Sequence, residues 1–143
     1  MLGARHVIYS VAVAMLFVFQ EAHAQSPAGG AAADFLSKDE LQKLVVGKTV
    51  RWARARDGVS IAWGINEDRS FVTTSQRPGT RSVGGSDSGT WQLQDNGGLC
   101  LKWKSEGDRP CVNYFFRKQG AKYLLYLDPK PDASALGEVG SIN

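Results

Sequence analysis

Residues 87–116 read DSGTWQLQDNGGLCLKWKSEGDRPCVNYFF and hold both cysteines, two of the four tryptophans and two turn signals. Leu99, Leu101 and Trp103 alternate with Cys100, Lys102 and Lys104. In an extended chain that alternation puts the two sets on opposite faces, one apolar and one not. Asp95-Asn96-Gly97-Gly98 before this segment and Ser105-Glu106-Gly107-Asp108 after it are rich in residues that accept turn geometry. The segments on either side, 88–94 with Trp91 and Leu93 inward and 111–117, are therefore its antiparallel partners. Pro110 falls at a strand start, where its missing N–H is tolerated.

The same period of two runs back to Lys48. Residues 49–56 alternate up to Asp57-Gly58, a signal for a two-residue hairpin turn. Val59, Ile61, Trp63 and Ile65 alternate with small or polar neighbours, as a half-buried strand requires. Asn66-Glu67-Asp68 turns the chain into 69–76, which is rich in β-branched and aromatic residues. Residues 77–86, with Pro78, Gly79, Gly84 and Gly85, read as a long loop with room for a short strand at 81–83. After 111–117, Gln119-Gly120 turns into a last strand at 122–127, and 129–143, with Pro129 and Pro131, reads as a loosely ordered tail. Seven or eight short antiparallel strands in meander order leave exposed edges unless the sheet curls. The expected fold is all-β, a small barrel or a curved sandwich.

One helix is expected. Ser37-Lys38-Asp39-Glu40 matches a capping box, Leu41, Leu44 and Val45 follow at helical spacing, and Gly47 can end the run near Val46. Such a helix would plug or cover an open end of the β-structure, or bind a partner.

The N-terminal 24 residues are set apart from the fold: Arg5, an apolar run from Val7 to Phe19, and Ala22-His23-Ala24 form a signal peptide cleaved after Ala24. The run is shorter than the roughly 20 residues a membrane span needs, so no membrane span is expected after cleavage. No cysteine follows it to accept a lipid. The expected location is the periplasm or the exterior. Residues 25–36, beginning QSPAGGAAA, are a flexible linker, and 37–128 form a single domain.

Cleavage removes His6 and His23, the two histidines of the chain. Ser-His-Asp and Cys-His catalysis and histidine-built zinc sites go with them. GGSDSG at 84–89 lacks the Gly-x-Ser-x-Gly spacing of a nucleophile elbow and no Lys-Ser/Thr follows it. Asp57, Asp68, Asp95, Glu106 and Asp108 fall mostly in turns, and no calcium-loop spacing is present. No catalytic residue, metal or cofactor is therefore assigned. A net charge of +3, with the basic residues spread along the strands, argues against nucleic acid as a partner.

Two features remain. Cys100 and Cys111 reach an oxidising compartment and are expected to form a disulfide. If they oppose each other directly, Leu99 faces Val112, Lys102 faces Arg109, and the disulfide lies on the outer face. Trp52, Trp63, Trp91 and Trp103 fall at inward positions of four strands, where they either fill a core or line a mouth. Trp52 and Trp63, with Arg51 and Arg54 interleaved, are the candidate ligand-binding residues.

Asp87-Ser88-Gly89-Thr90-Trp91, then Leu99-Cys100-Leu101-Lys102-Trp103 and Cys111, resembles the C-terminal signature of small exported proteobacterial proteins classed as a domain of unknown function. Residues 44–50, LVVGKTV, resemble their N-terminal motif. The resemblance implies a periplasmic or secreted β-rich protein and supplies no catalytic residue. Gly89-Thr90-Trp91 is also similar to the Gly-x-Trp of lipocalins, in architecture only, because it lies here in the second half of the chain.

The leading expectation is a non-enzymatic β-barrel binding a small ligand or an envelope protein. A second is a cell-envelope inhibitor or structural accessory acting through loops such as 77–89. A third is a carboxylate-based enzyme acting on envelope glycans. A concave, tryptophan-lined opening would favour the first, a filled core with a projecting loop the second, and two buried carboxylates in one cleft the third.

Overall fold

The computed structural model describes residues 35–81 and 84–143, so the expected signal peptide (1–24), residues 25–34 of the expected linker and residues 82–83 of the short strand expected at 81–83 lie outside the described residues. Helix α1 (Lys38–Val45) is followed by strands β1 (Lys48–Arg54), β2 (Ser60–Ile65), β3 (Ser70–Gln76), β4 (Gly85–Leu93), β5 (Leu99–Trp103), β6 (Val112–Gln119), β7 (Lys122–Tyr126) and β8 (Gly137–Ile142). Each strand pairs with the next, and β8 pairs with β1, closing an antiparallel barrel. Of the two expected shapes, closure selects the barrel: it leaves no unpaired strand edge.

The period of two sorts side chains as anticipated. Val50 and Trp52, Trp63 and Ile65, Phe71 and Thr73, Leu99 and Leu101, and Tyr114 and Phe116 face inward and are buried. α1 closes one end. Ser37 accepts the Glu40 N–H while the Glu40 carboxylate accepts the Ser37 N–H at 2.9 Å, so the capping box forms. That fixes the helix so that Leu41 and Val45 are fully buried in the same cluster as Val50, Ile65 and Phe116. The segment is pinned where β1 begins: Gly47 N–H donates to Ile65 at 2.7 Å, Leu36 N–H to Phe116 at 2.8 Å, and Lys38 Nζ pairs with Asp95 at 2.7 Å. Gly97, at φ 81°, is needed here, because a Cβ would overlap the Leu36 carbonyl. The cover reading of the helix is thus the one realised.

Four local expectations are corrected. Residues 129–143 are no loose tail: Gly137–Ile142 is β8, the strand that closes the barrel. Its two glycines erase the apolar alternation, yet Gly137 is required, since a Cβ there would meet Trp52 Cε3 at 2.7 Å. Phe35 and Leu36 belong to the fold and not to the linker, Phe35 standing edge-on to Tyr126 at 5.2 Å. Strand β4 begins at Gly85, so Ser86 and Asp87 are ladder residues, paired with Thr74 and Thr73. The turn at Asp57-Gly58 is wider than two residues: Arg54 N–H bonds to Val59 and Gly58 N–H to Arg54, so residues 55–58 form the loop.

The disulfide between Cys100 and Cys111 forms, with Cα atoms 5.5 Å apart, but the hairpin register is shifted by two. Leu99 pairs with Tyr114, Cys100 with Asn113 and Leu101 with Val112. A shift of two leaves every side chain on its own face, so apolar alternation is blind to it. The staple stays on the face opposite Leu99 and Leu101, as expected, but Cys100 is buried there at 1% exposure, and Cys111 lies just beyond the ladder. Closing so short a loop contributes about 3 kcal/mol through lost chain entropy.

Candidate functional site

The end of the barrel opposite α1 is open. It is formed by the ends of β1, β3, β5 and β7 and the starts of β2, β4, β6 and β8. A cavity of about 480 Å³ lies there, walled by Trp52, Ile61, Trp63, Thr73, Trp103, Val112 and Tyr114, with Arg54, Arg56, Asp87, Leu127 and Leu136 around its rim.

The aromatic wall follows from register. Trp52 pairs with Ile61, and Trp63 with Thr73, which pairs in turn with Asp87, so one inward row crosses three strands. Trp52 stands edge-on to Trp63 with ring centres 5.2 Å apart, and Trp63 stands edge-on to Tyr114 at 4.8 Å. Trp103 completes the wall, held edge-on at 4.9 Å by Phe71 beneath it. Such arrangements align positive ring edges with negative ring faces and fix the side chains in place.

Polar groups in this wall are unusual for a small barrel. The indole N–H groups of Trp52 and Trp63 are buried and have no acceptor among the described residues. A buried donor left unpaired costs about 1–3 kcal/mol. The Cε3 edge of Trp52 rests on Gly137 of β8, so its N–H edge faces away from that strand. Burial pushes the Tyr114 hydroxyl up to about 12, the Glu106 charge adds to the rise, and the Trp103 side chain opposes it. Tyr114 is therefore a neutral hydroxyl.

Asp87 is held below the ordinary carboxylate range, chiefly by the Ser105 hydroxyl, which donates a short hydrogen bond to it, and then by the Ser88 N–H at 2.7 Å. It is ionised at neutral pH and is the one carboxylate among the residues lining the mouth. Arg54 points two hydrogen bonds, 2.8 and 2.7 Å, at Asp57, which lowers the Asp57 carboxyl and raises the Arg54 guanidinium.

Of the candidate ligand-binding residues, Trp52, Trp63 and Arg54 meet at this mouth. Arg51 does not, because it alternates with Val50 and Trp52 and projects from the outer face. There it borders a larger, shallow depression of about 660 Å³ over Ala53, Ala62, Thr74, Gly140 and Ser141. That volume lies over an outer sheet surface of mostly short side chains, with Arg51, Gln76 and Glu138 among the residues around it. Asp87, Thr73 and Tyr114 were not among the candidates. Tyr114 was legible as an inward residue, and Asp87 would have been had the Gly85, Asp87, Gly89, Trp91 alternation been read as strand.

Among the described residues no group of three or more His, Cys, Asp or Glu side chains could hold a metal ion. No helix among them is long and apolar enough to cross a membrane.

The chain belongs to the DUF995 family of proteins of unknown function, whose family model matches residues 12–134. No curated protein and no solved structure matches it.

Proposed function

We propose that this member of the DUF995 family is an exported, non-enzymatic binding protein that holds a small ligand in the tryptophan-lined mouth of its barrel. The observation that carries this reading is the open cavity of about 480 Å³ at the barrel mouth, walled by Trp52, Trp63, Trp103 and Tyr114. An apolar ligand would fill the space between the rings and bury their exposed faces. The signal segment, with cleavage after Ala24, supports a periplasmic or secreted location, and the signature at 87–111 supports a proteobacterial source.

A neutral naphthylamine fluorophore, whose emission rises in an apolar site, tests the mouth directly. Saturable binding of one fluorophore per chain is expected. Val112→Trp, which fills the mouth from its rim, should weaken that binding at least tenfold with secondary structure unchanged. Absence of binding, or binding indifferent to Val112→Trp, would sink the proposal. In that case the loop at 77–84, among whose described residues every one is exposed, becomes the reading to pursue, as the contact surface of an envelope accessory or inhibitor.

A further inference from the structure

The charge of the mouth narrows the ligand further. Asp87 is ionised, and its partners are a hydroxyl and the backbone N–H of the next residue. Among the described residues no Lys or Arg lies within ion-pair distance of it, and Lys104 lends only a weak pull from farther off. The two arginines that line the same mouth are committed elsewhere. Arg54 is bound twice to Asp57, and Arg56 leans on the same carboxylate at 3.6 Å with its side chain mostly in solvent. Asp57 can balance only one of the two arginines, so the rim as a whole is neutral, while Asp87 faces the cavity with no cation within ion-pair distance.

It does so beside π-systems. Trp63 shares an inward row with Asp87 through Thr73, and Trp103, Tyr114 and Trp52 continue the wall. Aromatic faces attract cations through the ring quadrupole, and a carboxylate at the edge of such a wall adds direct charge attraction. An anion would meet repulsion from Asp87 inside the mouth, where Arg54 is turned to Asp57 and Arg56 lies mostly in solvent.

We infer that the mouth selects a small organic cation, an alkylated ammonium group carried on an apolar body, its positive end placed between Asp87 and the aromatic wall and its apolar body against Trp52 and Trp63. This rests on the binding reading above. It goes beyond that reading in fixing the sign of the ligand's charge and its orientation. Ser105 is the positioning residue: its hydroxyl donates to Asp87 and keeps the carboxylate turned to the mouth.

The probes are benzoylcholine and its uncharged isostere, in which a carbon replaces the quaternary nitrogen. The readout is the set of four indole N–H resonances of the purified protein, followed through titration. The cation is expected to bind about tenfold more tightly than the isostere, shifting the Trp52 and Trp63 signals most. Asp87→Asn, which keeps the shape and removes the charge, should reduce that difference at least threefold while leaving isostere binding unchanged. Ser105→Ala should reduce it by a smaller factor. Equal affinity for the two probes, or preference for the isostere, overturns the cation assignment and leaves the mouth as a binding site. If neither probe moves the Trp52 or Trp63 signal, the cation assignment and the binding reading fall together. A preference for the cation that is undiminished in Asp87→Asn refutes the role of the carboxylate and with it the inference as stated.

Discussion

The two ends of this barrel are made of different chemistry. At the helix-covered end, Leu41, Val45, Val50, Ile65, Phe71, Leu99, Phe116 and Leu125 are all fully buried, and none carries a polar side-chain atom. At the open end the buried side chains are Trp52, Trp63, Tyr114 and Thr73, each with a donor or acceptor, and Asp87 stands at the edge. The first end can be satisfied by packing alone. The second is satisfied only in part by the chain itself, since two of its indole donors have no acceptor among the described residues. A small barrel has few inward positions to distribute. Concentrating apolar burial at one end lets the other keep polar side chains at some cost in stability.

The sharpest way to break that division is Leu41→Ala. Leu41 is fully buried where α1 meets the barrel, and truncating such a leucine costs about 2–5 kcal/mol. Chemical denaturation should show a loss in that range, whereas Ile61→Ala at the half-buried mouth should cost roughly 1–2 kcal/mol. Equal losses would mean that both ends serve stability alike.

Next in size is the response to alkali. The Tyr114 pKa is raised in the folded state to about 12 from an ordinary value of 10. The unfolded chain therefore releases this proton first as pH rises. The stability it confers is fully present below pH 10 and is lost progressively between about pH 10 and 12, up to about 2 kcal/mol. Tyr114→Phe removes this component. In denaturation measured across that range, the variant should lose less stability than the parent chain. An identical alkaline slope in the two would show that the hydroxyl is not shielded by the mouth.

Much of this arrangement was legible in the residues. The alternation of Val59, Ile61, Trp63 and Ile65, the capping box at Ser37 and the inward tryptophans depend on short-range periodicity, which sequence displays directly. What escaped depends on tertiary contacts. The glycines of Gly137–Ile142 look like chain punctuation until Trp52 is seen against Gly137. Asp87 looks like a loop residue until β3 pairs with it across Thr73. The cysteine register was off by two because the hydrophobic pattern cannot distinguish registers that keep the same faces. For the site, alternation placed Trp52, Trp63 and Arg54 together and by the same rule separates Arg51 from them. Adjacency in sequence had suggested a shared grip. On a strand, neighbours one residue apart face opposite ways.

The smallest expected effect tests whether the two ends are independent. Ser37 caps α1, its hydroxyl near the Glu40 N–H and bonded to the Glu40 carboxylate at 2.8 Å. Replacing such a cap with alanine costs about 1 kcal/mol. The Glu40 carboxyl is held below its ordinary 4.5, chiefly by the backbone and hydroxyl of Ser37. The stabilisation is therefore present above pH 4.5 and disappears as pH falls through the lowered value. Ser37→Ala should lower the denaturation midpoint slightly at neutral pH and flatten the acid side of the stability profile. Fluorophore affinity at the mouth should stay within about twofold, because sites separated by a packed core are additive to within about half a kcal/mol. A larger change in affinity would mean that the helix end and the mouth are energetically one unit, with α1 setting the shape of the cavity it does not touch.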